Sequence, residues 1–446
     1  MIKNCTKMWV LAALLSLSTL VPAKTTIYTP SKEQLDARKR FENARFGIFL
    51  HWGIYSTFAQ GEWYMQNAGI NRQEYAKAAN AFYPHDFDAN KWVDAIKKAG
   101  ASYICFTTRH HDGFSMWNTK QSDFNIMHTP YGKDVVKQLS DACHEQGVGL
   151  HLYYSHIDWT RDDYPMGVTG RNTGKNAKKA NWNSYYRFMN EQLSELLTQY
   201  GKVDGIWFDG WWDHKDDSTP FDWQLSEQYA LIHRLQPACI IGNNHHQKPN
   251  EGEDMQIFER DVPGENKAGM SGQNIGHLPL ETCQTMNGMW GYRVEDQNYK
   301  STQELIQLLV RTAAKGANLL LNIGPQPDGN LPSAALERLQ GMGEWLHSKA
   351  GESIYGTTAG CVAMGDSIVS TQSGDGKCLY LHLLKVQDST ISITIPLNAH
   401  RFKRVTTLMN DEVVTYKYDK KTKLTTFNLP VRKENELTDF IINLNK

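Results

Sequence analysis

The sequence lacks an excess of either charge: Lys and Arg number 47 against 48 Asp and Glu in 446 residues. Binding to a polyanion or an anionic membrane surface needs a basic excess, and no basic run supplies one locally, so nucleic acid and membrane-surface partners drop out. Cysteine is sparse. Of seven in all, Cys105, Cys143, Cys239, Cys283, Cys361 and Cys378 follow the N-terminal segment, with no CxxC pair and no paired Cys/His spacing. That removes a zinc motif, and a chain long enough to bury a large core does not need disulfides, so these read mostly as buried free thiols. Beyond the N-terminus no apolar run is long enough to span a bilayer. No internal repeat or low-complexity segment is present, and no glycine-rich phosphate loop follows the first strand, as an open dinucleotide-binding sheet would usually require.

The apolar run that is present sits at the start. Lys3 and Lys7 precede the apolar residues 8–15, and Val21-Pro22-Ala23 supplies a small-residue cleavage site before Lys24. Residues 1–23 therefore read as a signal peptide, and the mature chain as secreted or periplasmic with no membrane span. A membrane anchor is the rival reading, but Ser16, Ser18 and Thr19 interrupt the apolar core too early.

After residue 24 strands and helices alternate. Apolar runs at 46–53, 102–108, 148–155, 205–209, 239–242, 255–258, 279–283 and 318–325 read as buried parallel strands, which lose polar alternation because both faces are covered. Helical spacing is found at 31–45, 90–100, 133–146, 182–200, 222–235, 302–315 and 332–347. About eight strand–helix units over ~300 residues fit an α/β fold, a closed (β/α)8-like TIM barrel, with an open doubly wound sheet as the structural alternative. From residue 356 to 446 the pattern changes to alternation, as in Leu379-Tyr380-Leu381-His382-Leu383, and predicts a small C-terminal antiparallel β-sandwich. The expected organisation is thus a signal peptide at 1–23, a catalytic barrel at 24–355 and a sandwich at 356–446. With no aromatic strip along it, the sandwich reads as a brace for the barrel.

A barrel collects the C-terminal ends of its strands at one mouth, where its chemistry is placed. His51, Arg109, His110, His111, Tyr154, Asp209, Glu259 and Glu281 all lie at or just beyond predicted strand ends, and Glu62 stands beside Trp63 and Tyr64. Asp209 closes the run Gly205-Ile206-Trp207-Phe208-Asp209-Gly210-Trp211-Trp212. Aromatic rings around a carboxylate suit a sugar, whose C–H faces pack on indole. Glycoside hydrolysis needs two carboxyls, one to protonate the leaving oxygen and one to attack the anomeric carbon or activate water. Asp209 is the candidate nucleophile. Its partner must hold a proton near neutral pH, and Glu259 and Glu281 both qualify; Arg260 beside Glu259 favours its ionised form, which tilts the choice to Glu281. A metal-dependent hydrolase using His51, His110 and His111 is an alternative, although adjacent residues on extended backbone point apart. So is a non-catalytic carbohydrate-binding protein on a hydrolase scaffold.

Phe46-Gly47-Ile48-Phe49-Leu50-His51-Trp52-Gly53, Glu62-Trp63-Tyr64, Thr108-Arg109-His110-His111-Asp112-Gly113-Phe114, Trp207-Phe208-Asp209-Gly210, and Glu281-Thr282-Cys283 through Trp290-Gly291-Tyr292 together resemble the α-L-fucosidases of glycoside hydrolase family 29, in family order and over nearly the whole expected barrel. The resemblance implies a retaining exo-glycosidase on a (β/α)8-like barrel with a C-terminal β-sandwich, using no metal or organic cofactor and acting on fucosylated oligosaccharides or glycoconjugates. It makes Asp209 the nucleophile, and His51, Glu62, Trp63, His110, His111, Tyr154 and Trp207 the residues that hold the fucose hydroxyls and pack on its ring. Glu281 matches the Glu-x-Cys signature, with Leu280 in place of the usual Trp, and is the preferred acid/base; Glu259 is the alternative, with Arg260 as a substrate or carboxylate contact.

Overall fold

The computed structural model describes residues 28–384, 390–430 and 440–445, so the signal peptide expected at 1–23 lies outside the described residues. Eight parallel strands form the first unit: β1 (Phe46–Leu50), β2 (Tyr103–Arg109), β3 (Gly149–Ser155), β4 (Gly205–Asp209), β5 (Ile240–Asn243), β6 (Gln256–Glu259), β7 (Leu280–Thr285) and β8 (Ala317–Ile323). Their order, β5-β4-β3-β2-β1-β8-β7-β6, curls into a near-closed barrel. The α/β barrel reading holds, with one correction to the repeat. Helices Ala89–Lys98, Val135–Gln146, Trp182–Gln199 and Leu225–Leu235 follow β1 to β4, while Thr302–Ala314 and Ser333–Leu346 follow β7 and β8. Among the described residues no helix separates β5 from β6 or β6 from β7. Those two connections are loops, so they are free to build the mouth.

The sheet sorts its side chains by parity. Phe49, Cys105, Tyr153, Trp207, Ile240, Ile257, Cys283 and Leu320 form one cluster inside the barrel, closed below by Ala37 and Phe41 of the lead-in helix Lys32–Glu42. Their strand neighbours, such as Ile48, Ile104, Leu152 and Ile206, join the larger core between sheet and helices. Because a strand alternates with period two, this division decides which residue of each strand can reach the mouth.

No strand pairing joins β5 to β6 among the described residues. The buried carboxylate of Asp254 spans that seam instead: Oδ2 accepts from the Ile241 amide at 2.9 Å and from His233 Nε2 at 2.8 Å, and Oδ1 accepts from Arg38 Nε at 2.8 Å. One side chain thus ties the lead-in helix, the helix before β5 and β5 itself. Asp254→Ala should lower the free energy of unfolding by about 2 kcal/mol, because it leaves the buried Ile241 amide without its acceptor and takes the carboxylate from the partly buried Arg38 and His233. Urea titration measures this, and a midpoint equal to the native one refutes the seam role.

The second unit is an antiparallel sandwich. One sheet contains β9 (Thr357–Met364), β10 (Ile368–Ser373), β11 (Cys378–Leu383), β13 (Arg404–Thr407) and β16 (Phe440–Asn445); the other contains β12 (Ser392–Ile395), β14 (Thr415–Asp419) and β15 (Leu424–Asn428). Leu381, Leu383, Ile395, Phe427, Ile442 and Leu444 fill the space between them. Asp366, in the β9–β10 turn, pairs with Arg311 at 3.1 Å and with Lys267 of the β6–β7 loop at 3.2 Å, so the sandwich grips a loop of the barrel mouth. Cys105, Cys143, Cys239 and Cys283 are buried free thiols, and Cys361 is exposed. No helix among the described residues is long and apolar enough to cross a membrane.

Candidate active site

A cavity of about 300 Å³ opens at the C-terminal ends of the strands, and its lining includes His51, Trp63, His110, His111, Trp207, Asp209 and Glu259. Asp209 is the last residue of β4. Gly210 follows with φ +105°, a left-handed turn in which a Cβ would strike Ile157. The turn folds Trp211–His214 back, so that Trp212 Nε1 reaches Asp209 Oδ1 at 3.2 Å. Asp213 anchors this turn from beneath, accepting from the Tyr164 hydroxyl at 2.7 Å and from the Thr169 amide at 2.8 Å. On the other side of the carboxylate, the Tyr153 hydroxyl donates to Oδ2 at 2.9 Å, and His111 Nε2 stands 3.5 Å from the same oxygen.

Glu259 ends β6. Its Oε2 accepts from Asn244 Nδ2 at 2.8 Å and from His246 Nε2 at 3.1 Å, both of which follow β5. The side chains of Asp209 and Glu259 are 13 % and 14 % exposed, enough for a bound sugar to touch each. Burial, then the charge of Glu259, raises Asp209 from the ordinary 3.8 to about 6. For Glu259 burial acts upward too, but the hydrogen bond and charge of His246, with Asn244 and Arg260, outweigh it and hold the carboxyl below the usual glutamate range. Between the two values the pair holds one proton, mainly on Asp209, and the form with Asp209 ionised and Glu259 protonated is the minor one in exchange with it.

The imidazoles are neutral in this setting: burial lowers His51 and His111 to about 3 and holds His110 well below the usual histidine range. Asn322 donates through Nδ2 to the Trp290 carbonyl, so its Oδ1 accepts from His51 Nδ1 at 2.6 Å. Ser155 Oγ donates to the Ile157 carbonyl and thus accepts from His111 Nδ1 at 2.7 Å. Both rings keep Nε2 as an acceptor for a hydroxyl. Among the described residues no group of three or more His, Cys, Asp or Glu is arranged to hold a metal ion, so the metal-dependent alternative has no ligand set there.

Other expected site residues lie elsewhere. Tyr154 faces outward, fully buried, with its hydroxyl donating to Gln192 at 2.7 Å; its neighbour Tyr153 has the inward parity, paired in register with Trp207. Strand alternation carries that correction, since Trp207 and Asp209 already set the phase of β4. Arg109 is buried on the same outer side, paired with Asp158. Glu62 lies behind the wall: its Oε2 accepts from the Gly291 amide at 2.7 Å and steadies the turn that carries Trp290 into the cavity. Arg260, at φ +61°, sits over the Trp290 ring at 5.0 Å and does not line the cavity. Glu281 is 0 % exposed inside the barrel, below the cavity, with Trp207 Nε1 on Oε1 at 2.8 Å and the Tyr103 hydroxyl on Oε2 at 2.6 Å. Phe49, Trp212, Lys215, Asn244, His246, Met270 and Trp290 also line the cavity. The strand-end rule applied to β5 would have found Asn244 and His246; Met270, on the long β6–β7 loop, carries no sequence signal.

The contrast between the adjacent tyrosines is testable. Tyr153→Phe should lower kcat by roughly tenfold, the scale of one hydrogen bond to a charged group. Tyr154→Phe should leave kcat unchanged and cost about 1 kcal/mol of stability. Equal effects on kcat would refute the assignment of the two faces.

A model of the α-L-fucosidase family matches residues 15–352. The chain is 30 % identical to an α-L-fucosidase of Dictyostelium discoideum over 369 residues, which is 75 % of this chain and 76 % of that protein. It is 30 % identical to the human tissue α-L-fucosidase over 360 residues, 74 % of this chain and 72 % of the relative. Among solved structures, α-L-fucosidase isoenzyme 1 of Paenibacillus thiaminolyticus superposes with a TM-score of 0.80 at 31 % identity, covering 93 % of this chain and 99 % of its own. The Thermotoga maritima α-fucosidase does so with a TM-score of 0.73 at 27 % identity, covering 94 % and 100 %. With the matched model spanning the whole barrel and relatives aligned over most of their length, the chain belongs to the α-L-fucosidase family.

Proposed function

We propose that this α-L-fucosidase removes terminal α-L-fucose from glycans or glycoconjugates with retention of configuration, Asp209 acting as nucleophile and Glu259 as acid/base. The observation that carries the reading is that Asp209 and Glu259 are the two carboxyls lining one aromatic cavity at the barrel mouth. Glu281, hydrogen-bonded on both oxygens below that cavity, has no path to a glycosidic oxygen. Its position supports Glu259 in the role for which the sequence preferred Glu281.

In the first step an Asp209 oxygen bonds to C1 of the fucoside as the C1–O bond to the aglycone breaks, and the Glu259 proton passes to the departing oxygen. Glu259, now ionised, takes a proton from water as that water attacks C1. Fucose leaves and Asp209 is restored as a carboxylate. His51, His110 and His111 present neutral ring nitrogens to the sugar hydroxyls. Trp63, Trp207 and Trp290 supply the apolar wall that a 6-deoxy sugar needs around its methyl group. The leader before Lys24 supports secretion or a periplasmic location.

An aryl α-L-fucoside followed by proton NMR tests the proposal: α-L-fucose is the expected first product, mutarotating later. First release of the β anomer removes the double displacement, and binding of fucose without turnover leaves a carbohydrate-binding protein.

A further inference from the structure

We propose that Glu281 is a positioning residue: from inside the barrel it sets the plane of Trp207, and through Trp207 and Tyr153 it sets the orientation of the Asp209 carboxylate. This rests on Asp209 being the nucleophile of the proposed reaction. Glu281 lies two residues before Cys283 on β7, one layer deeper than the ring of side chains beneath the cavity. Trp207 bridges the two layers, with its ring on the cavity and its Nε1–H on Glu281 Oε1 at 2.8 Å. Tyr103 reaches the other oxygen at 2.6 Å from the start of β2, and it can do so because Gly47 stands where any Cβ would meet its ring at 2.4 Å.

From there the contact chain runs upward. Trp207 stacks on Tyr153 with ring centroids 5.5 Å apart and an interplanar angle of 23°, and Phe49 closes the indole edge-on at 5.1 Å. The Tyr153 hydroxyl ends the chain on Asp209 at 2.9 Å. A buried indole N–H without an acceptor turns toward any it can find, so removing Glu281 frees the ring against which Tyr153 is set. No cation is among the hydrogen-bond partners of Glu281, and burial raises its carboxyl to about 7. The hydroxyl of Tyr103 donates to a carboxylate or accepts from an acid, so the arrangement persists in both protonation states. What the site uses is the shape and the acceptor, which glutamine reproduces: its oxygen accepts from Trp207 and its amide donates to the Tyr103 oxygen.

The test compares Glu281→Gln, Glu281→Leu, Trp207→Phe and Glu259→Gln on aryl α-L-fucosides with poor and good leaving groups, with and without azide. Glu281→Gln should stay within about threefold of native kcat/KM and keep the native pH profile. Glu281→Leu should lose roughly 10- to 100-fold on both leaving groups alike, without azide rescue, as misplacement does. Trp207→Phe, which removes the donor to Glu281 and also trims the wall facing the sugar, keeps the test available if Glu281→Leu does not fold: a fall in kcat beyond any rise in KM is expected, and a rise in KM alone overturns the proposal. The Glu281→Leu/Trp207→Phe double variant should lose no more than the larger single loss. Native activity in Glu281→Leu overturns the proposal and leaves the acid/base reading intact. A Glu281→Gln loss confined to poor leaving groups, with azide yielding fucosyl azide of retained configuration, makes Glu281 the acid/base and overturns both. Native activity in Glu259→Gln, with Glu281→Leu impaired as expected, overturns the acid/base reading alone.

Discussion

Asp209→Ala should hydrolyse aryl α-L-fucosides at least ~10⁴-fold more slowly than the native chain, a loss of roughly 5–6 kcal/mol of transition-state stabilisation. In the proposed mechanism this carboxylate is the nucleophile, and the other carboxyl of the cavity, Glu259, stands apart on β6, held by Asn244 and His246. Azide should restore turnover by entering the space the carboxylate leaves and attacking C1 from its side. The product would be β-L-fucosyl azide, inverted relative to the substrate. Undiminished hydrolysis by the Ala variant removes Asp209 from the mechanism.

The same carboxylate should cost the fold stability. Asp209 is raised from 3.8 to about 6 in the folded chain. Below the ordinary aspartate value both folded and unfolded chains hold the proton, and there is no penalty. Between that value and about 6 the unfolded chain ionises while the folded chain resists, and above about 6 the penalty is complete, roughly 1–3 kcal/mol. Asp209→Asn should therefore raise Tm at pH 7.5, with the gain vanishing by about pH 4. A Tm difference that ignores pH would mean that the carboxylate is not strained by its burial.

Long apolar strands and their separating helices made the barrel legible, because parallel strands covered on both faces show up as unbroken runs ending in polar residues. The same absence of alternation hid the parity of β3. Tyr153 and Tyr154 are equivalent in the run Leu152-Tyr153-Tyr154-Ser155, and only the register with Trp207 on β4 separates them. The preference for Glu281 had a physical reason. A carboxyl with apolar neighbours has the raised proton affinity that an acid catalyst needs, and the structure does raise it to about 7, but depth along a strand cannot be read from neighbours in sequence. Glu259 looked the poorer acid because of Arg260. In the structure Arg260 sits over Trp290 and its charge does favour the ionised glutamate, but it ranks behind His246, which hydrogen-bonds Glu259 from a different strand end.

Glu259→Gln separates these readings through leaving group and pH together. On a fucoside with a poor leaving group, hydrolysis should fall by roughly 10²–10⁴-fold, the usual worth of a positioned proton donor. On a dinitrophenyl fucoside, which departs without protonation, the first step should survive and the fucosyl-enzyme accumulate. Azide, needing no general base, should then release fucosyl azide with the configuration of the substrate retained. In the proposed mechanism the active state of the native chain has one proton on the Asp209–Glu259 pair, carried by Glu259. As pH rises through about 6 the pair loses that proton, so kcat/KM should decline there; as pH falls below the lowered value of Glu259 both carboxyls are protonated, and it should decline again. In the variant only Asp209 is left to titrate and it must be ionised, so the descending limb should disappear and the dinitrophenyl profile should rise with pH. Its midpoint should lie below about 6, because the charge of Glu259 contributes to raising Asp209 in the native site. A bell-shaped profile retained in Glu259→Gln would show that the second proton belongs to another group.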